Sequence, residues 1–292
     1  MLRQRIVSGI VLGLAAVLSA TLLPSPAGWL VILVLGLLAQ YEFYGMMRAM
    51  GIPVFRWLGL CGGAAVISAT FWTIGFSHDQ MLHGYLAENL VLGGILLFLF
   101  IWQAFQKDYK QPVVAVAMTM LGILYGAYLL NYLTRLAFHW HVGTRLDSVG
   151  RTGQLLILYL IAVVKASDMG AYFTGRVLGR HKLIPRLSPN KTWEGLVGGV
   201  AFSLLVSVLF WRFSDGRLGE ISFRVGDAVV LGVLLAAAGV IGDLVESMIK
   251  RNAAIKDSGS MIPGMGGILD VLDSLLFGAP VLYAYIVLVL RF

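Results

Sequence analysis

Apolar residues run along this chain in long blocks, and polar residues are confined to the short gaps between them. Nine blocks can be drawn, at roughly 6–23, 28–47, 57–76, 86–105, 113–137, 154–175, 193–212, 226–249 and 268–290. Each is close to the ~20 apolar residues that a helix needs to cross a bilayer. The longest polar connector is only about twenty residues, too short for a water-soluble domain. The pattern predicts an all-α, polytopic membrane protein of about nine transmembrane helices. The five blocks within residues 1–150 read as scaffold and the four within 151–292 carry nearly all the chemistry, in one integrated membrane domain.

Composition supports that reading and adds an orientation. Hydrophobic residues make up 59% of the 292 and charged ones 13%, about half the share in soluble domains. Of the 22 Lys and Arg residues, fourteen fall on one side of the predicted spans, seven on the other, and Lys165 inside a span. Positive charge collects on the cytoplasmic side, which puts the amino terminus in the cytoplasm and the carboxyl terminus outside. Arg135 counts among the seven external charges. A second block follows 6–23 at once, so that first block reads as an anchored span rather than a cleaved leader. The lone Cys61 lies in an apolar block, where packing is its expected role. No basic helix is interleaved with aromatics, which argues against nucleic acid. His78, His83, His139 and His141 lack the Cys or carboxylate neighbours of a metal site. Glycines inside spans, such as Gly122, Gly126, Gly198 and Gly199, predict close helix packing. Glu42, near the end of its block, reads as interfacial.

Polar residues inside the later blocks change the picture. Lys165, Asp168 and Tyr172 fall at i, i+3 and i+7, on one helical face, and an ionisable group within a span is a functional hypothesis by default. The following loop ends Ser188-Pro189-Asn190-Lys191-Thr192-Trp193-Glu194-Gly195. Ser188 before Pro189 predicts an N-cap, so Ser188, Asn190 and Lys191 would present a phosphate-binding helix start.

The densest charge lies between Asp243 and Asp273. Asp243, Glu246 and Lys250 again share a face, and Asp243 sits about 10 Å along the helix axis from Lys250, below the headgroups. Asp270 and Asp273 lie one turn apart at the start of the last block. Carboxylates converging in a partly dry place repel one another unless a cation joins them. With Asp243, Asp270 and Asp273 as ligands and no His or Cys beside them, the expected ion is Mg²⁺. Lys250, Arg251 and Lys256 supply cations, and Gly266-Gly267 gives a turn that a phosphate can approach. The Gly-Lys-Ser/Thr of a P-loop is absent.

These residues resemble a known family. The run Ser247-x2-Lys250-Arg251-x4-Lys256-Asp257-x-Gly259-x3-Pro263-Gly264-x-Gly266-Gly267-x2-Asp270-x2-Asp273 is similar to the carboxy-terminal signature of the phosphatidate cytidylyltransferases. Asp168-x-Gly170-Ala171-Tyr172-Phe173-x-Gly175-Arg176 and Ser188 to Gly195 are similar to two further motifs of that family. The resemblance implies that phosphatidic acid attacks the α-phosphate of CTP and releases pyrophosphate, with Mg²⁺ at a cytoplasm-facing site in a bacterial inner membrane. Carried onto this chain, Asp243, Asp270, Asp273, Lys256 and Asp257 would be catalytic. Lys191, Ser188, Asn190, Lys250, Arg251, Gly266 and Gly267 would bind phosphate, with Asp168, Tyr172, Glu194 and Glu246 in supporting places. Ser247 has no His partner and is not a nucleophile. Two positions depart from the family pattern: Met265 stands where His is usual, and Val271 where Arg is usual. A second cation and a homodimer remain open, as do a CTP-dependent lipid-alcohol kinase, a cation or lipid transporter, and a catalytically silent lipid-binding homologue.

Overall fold

The computed structural model describes residues 25–76, 80–106, 111–140, 150–262 and 266–291. The predicted block 6–23 and the departure at Met265 lie outside the described residues, as do His78 and His141. The helices are α1 (Ser25–Ala49), α2 (Arg56–Phe76), α3 (Gln80–Ala104), α4 (Pro112–Gly122), α5 (Leu129–Phe138), α6 (Arg151–Leu178), α7 (Trp193–Phe213), α8 (Val225–Asn252) and α9 (Ile268–Leu288). A wider π-helical segment, Ile123–Tyr128, joins α4 to α5, and the three form one continuous span, Pro112–Phe138. Among the described residues, eight helical stretches are long and apolar enough to cross a membrane. Leu90, Leu97 and Ile101 on α3 and Val197 and Leu205 on α7 are more than half exposed, an outer surface suited to lipid rather than water. The chain is an all-α polytopic membrane protein.

Helix α9 is the hub, touching α8, α6, α5 and α1. Helices α6 and α8 pack against it and α7 packs on those two, with α6 and α7 in the most extensive contact. A methyl group on Gly198 would collide with Thr174, and one on Gly170 would lie 2.6 Å from Phe202. Without a water-driven force between helices, such backbone proximity is what gives dispersion its reach. Gly122 and Gly126 play the same part against Tyr44 and Gln40 of α1, as the sequence predicts. Cys61 differs from expectation in being exposed on α2 among the described residues.

Two short antiparallel hairpins interrupt the helices. Strands β1 (Lys182–Ile184) and β2 (Ser188–Thr192) pair between α6 and α7, and β3 (Arg217–Leu218) pairs with β4 (Ile221–Ser222) between α7 and α8. The first hairpin corrects the reading of Ser188 as an N-cap. Ser188 pairs with Ile184 in the ladder, and α7 is capped by Thr192, whose hydroxyl accepts from the Gly195 N–H at 3.1 Å. Extending the strand satisfies Ser188's backbone in a way that an isolated first turn could not. Arg135 also departs from the loop position assumed for it. It is 3% exposed and forms an ion pair with Glu88 of α3. Asn131 Nδ2 donates to Glu88 at 3.0 Å and to Thr70 at 2.7 Å, tying α2, α3 and α5 together at the end of the bundle away from β1–β2.

Candidate active site

At the β1–β2 end, α6, α7, α8 and α9 enclose a cavity of about 320 Å³. Lys165, Asp168 and Tyr172 line it from α6, Asn190 and Lys191 from β2, Asp243 from α8, and Asp270 and Asp273 from the first turns of α9. Asp243 lies nine residues before the end of α8, about 13 Å along the axis. A polar cavity at that depth is expensive in a lipid-embedded bundle, and its contents are organised accordingly.

Two lysines hold the carboxylates. Lys191 Nζ is ion-paired with Asp243. Lys250 Nζ donates to Glu246 Oε2 at 2.7 Å and to Asp270 Oδ1 at 2.6 Å, with its side chain only 12% exposed. Asp273 Oδ1 accepts from the Ser274 N–H and hydroxyl. One oxygen from each of Asp243, Glu246 and Asp273 lies within 4.8 Å of the others. Glu246 is 1% exposed, and its Oε1 has no hydrogen-bond partner among the described residues. A buried carboxylate oxygen with nothing to accept from is costly. Three hard oxygen donors around it fit a small divalent cation such as Mg²⁺.

The geometry brings Glu246 beside two of the expected ligands, Asp243 and Asp273, and gives Asp270 further partners. Asp270 is the third residue of α9, and its Oδ2 accepts from the Gly267 N–H at 2.7 Å and from the Ser258 N–H and hydroxyl, both at 2.9 Å. With Lys250 on the other oxygen, Asp270 closes the loop onto its helix, while Glu246 stands in the three-carboxylate group. The glycines serve this closure. Gly266 has φ +100°, open to glycine and strained for other residues, and a Cβ there would lie 2.5 Å from Asp270 Oδ2. A Cβ on Gly267 would collide with Glu42 and the Ser258 hydroxyl.

Glu42 corrects the sequence reading most sharply. It is 5% exposed rather than interfacial. Its Oε1 accepts from the Ile268 N–H at 3.0 Å, and its Oε2 from the Leu269 N–H at 2.9 Å and the Ser258 hydroxyl at 3.0 Å. A residue of α1 thus supplies the anion at the positive end of α9, satisfying N–H groups that have no partner within the helix. The signal was present: Glu42 lies seven residues before the end of α1, as deep as Asp243 lies before Lys250.

This combination, a carboxylate cluster and lysines at membrane depth on a glycine-closed helix start, agrees with what sequence comparison finds. The chain matches the cytidylyltransferase family over residues 3–289. It belongs to that family. A relative from Haemophilus influenzae named phosphatidate cytidylyltransferase is 32% identical over 96% of both chains. One of the same name from a Synechocystis strain is 33% identical over 98% of this chain and 97% of its own. A third, from Bacillus subtilis, is 41% identical over 149 residues, about half of each chain.

Of the expected site residues, the cavity gathers Lys165, Asp168, Tyr172, Asn190, Lys191, Asp243, Asp270 and Asp273. Lys250 and Glu246 stand directly behind them. Others take places at the rim. Glu194 accepts from the Arg180 and His181 N–H groups and contacts His181 Nδ1 at 2.6 Å, which folds the start of β1 against α7. Arg251 Nε donates to the Leu187 carbonyl at 3.3 Å, fastening the hairpin to α8. Ser188 lies in β2, Tyr172 accepts from Arg176 at 3.1 Å, and Lys256 and Asp257 are exposed in the loop after α8. Val271 offers no charge, but its carbonyl accepts from Lys165 Nζ at 3.3 Å, so a cation does reach that turn, from α6.

Proposed function

We propose that this protein is a CTP:phosphatidate cytidylyltransferase, making CDP-diacylglycerol and pyrophosphate in an inner membrane with its site open to the cytoplasm. The observation that carries the reading is the group Asp243, Glu246 and Asp273, within 4.8 Å of one another and flanked by Lys191 and Lys250. Family membership and relatives of that name over nearly the whole chain support it. The positive-inside bias supports the orientation, and it survives moving Arg135 from loop to core.

The reaction needs little covalent help from the protein. A phosphate monoester with a second pKa near 6 is already largely dianionic at neutral pH, so its oxygen attacks the α-phosphorus without a general base. One P–O bond forms as the bond to the β-phosphate oxygen breaks, and pyrophosphate leaves. The obstacle is repulsion between anions, and catalysis is chiefly electrostatic. Asp243, Glu246 and Asp273 would hold Mg²⁺, which when bound neutralises phosphate charge at the reacting centre. Lys191, at the end of a short strand, is placed to exchange Asp243 for a phosphate oxygen. Lys250 keeps Glu246 and Asp270 in place, and Arg251 holds the hairpin that carries Asn190 and Lys191. Asp270 and Glu42 fix the start of α9 and thereby Asp273.

Purified protein in detergent, given phosphatidic acid, CTP and Mg²⁺, is expected to produce CDP-diacylglycerol and stoichiometric pyrophosphate. Release of CDP with phosphorylation of an added polyprenol or similar lipid alcohol would instead identify a lipid-alcohol kinase. No CTP turnover under conditions in which the Haemophilus influenzae relative is active would sink the catalytic reading. Activity appearing only in Met265→His/Val271→Arg would mark the natural chain as a silent homologue.

A further inference from the structure

The cavity contains a cation that the proposed chemistry has not used. Lys165 is 13 residues from the Leu178 end of α6, about 20 Å along the axis, and is the most deeply placed lysine on the cavity wall. Its two contacts are long, 3.2 Å to Asp168 Oδ2 and 3.3 Å to the Val271 carbonyl. Its side chain is 38% exposed, against 12% for Lys250, whose contacts are 2.6 and 2.7 Å. Lys250 is fully engaged, and Lys191 is paired with Asp243. Lys165 instead reaches into the open cavity, leaning on a carboxylate that is itself 42% exposed. A pair this open contributes little by itself, so neutralising Asp168 is a poor reason to keep an ammonium group at the middle of a span.

We propose that Lys165 binds a phosphate group of substrate at the inner end of the cavity, with Asp168 and the Val271 carbonyl aiming its ammonium group between turnovers. Planting that cation on α6 brings positive charge to the wall facing Asp243 and Asp273, where approaching phosphate meets the strongest repulsion. The inference rests on the cytidylyltransferase reading, in which either the lipid phosphate monoester or the nucleotide's phosphates could be the group held. Both present the same anionic oxygens to an ammonium donor.

Steady-state kinetics on Lys165→Met, Lys165→Arg and Lys165→Met/Asp168→Asn test it, with phosphatidic acid and CTP varied separately. Lys165→Met is expected to raise KM for one substrate by about 10- to 100-fold, the effect of losing a charge-assisted hydrogen bond. Lys165→Arg should recover most of that loss. A rise confined to phosphatidic acid assigns the lipid phosphate, and one confined to CTP assigns the nucleotide. The double variant should keep the defect. If it regains wild-type KM values, or if Lys165→Met changes thermal stability but neither KM, Lys165 is only the counter-ion of Asp168 and the proposal is overturned. Should the wild type turn over no CTP, the functional reading fails separately. Equilibrium binding of phosphatidic acid and of CTP to wild type and Lys165→Met then decides for Lys165, and unchanged affinity for both ligands refutes it.

Discussion

Among the described residues, a buried charged cluster lies at each end of the bundle, and the two are built on opposite plans. Away from the β1–β2 hairpin, Glu88 and Arg135 form one carboxylate–guanidinium pair with side chains 2% and 4% exposed, and Asn131 and Thr70 close around it. At the hairpin end, Asp243, Glu246, Asp270 and Asp273 outnumber Lys191 and Lys250, and the group opens into a cavity. The first cluster is balanced and sealed, as expected of charge that fastens helices together. The second keeps an excess of negative charge at a place where solutes can enter. Desolvation penalises both, but the second alone of the two carries carboxylates in excess of its cations. Burial is common to both; unbalanced charge beside an opening separates them.

Substitutions at the two ends should therefore fail in different ways. Asp273→Asn is expected to lower cytidylyl transfer by about 10³-fold while leaving the folded fraction in detergent unchanged. A comparable loss of folded protein would place Asp273 with the structural cluster. Glu88→Ala strands a buried guanidinium and should destabilise by about 3–5 kcal/mol, read as a fall in thermal midpoint, with turnover per folded molecule kept. Glu88→Leu/Arg135→Leu should recover much of that stability, and continued instability would show that the pair does more than cancel itself. Glu42→Gln belongs to neither plan alone. It weakens three hydrogen bonds at the start of α9 and should cost about 2 kcal/mol of stability together with roughly tenfold in kcat from misplacement of Asp273. Raising free Mg²⁺ should increase the thermal midpoint of wild type by mass action but not that of Asp243→Asn, and an equal rise in both would remove the case for the ion at that place.

The smallest effect concerns His139, which packs on Trp140 and Tyr283 beside the balanced pair. Burial, with a smaller contribution from the Arg135 guanidinium, holds its pKa down at about 4. Its folded pKa lies below the ordinary value near 6.5, so the unfolded chain binds the proton more readily. Stability from this group is present above about pH 6.5 and is lost as pH falls towards 4. His139→Phe should flatten the thermal midpoint between pH 7 and 5, and an unchanged slope would refute the assignment.

Much of the architecture was legible because hydropathy and lipid impose one rule on every span. Lys165–Asp168 and Asp243–Glu246–Lys250 were legible too, since helical periodicity alone puts them on common faces. What periodicity could not supply was the partner outside each residue's own helix. Ser188-Pro189 carries the local chemistry of an N-cap, yet pairing with Ile184 drew it into a strand. Asp270 reads as a metal ligand, and its bonds to Ser258, Gly267 and Lys250, which also close the loop onto α9, could not be read from periodicity. Glu88 and Arg135, 47 positions apart, each look like a stray charge in a scaffold. A hairpin decides the first, the closure of one connecting loop the second, and a contact between distant helices the third.

The hold of Glu42 on α9 also has a history within each molecule. Its backbone partners lie 226 and 227 residues later in the chain. At ribosomal rates of about 5–20 residues per second, the first of them emerges roughly 10 to 45 seconds after Glu42 itself. For that interval α1 rests without the α9 N–H groups that its carboxylate later accepts from. The cavity end of the bundle is thus among the last parts to be completed.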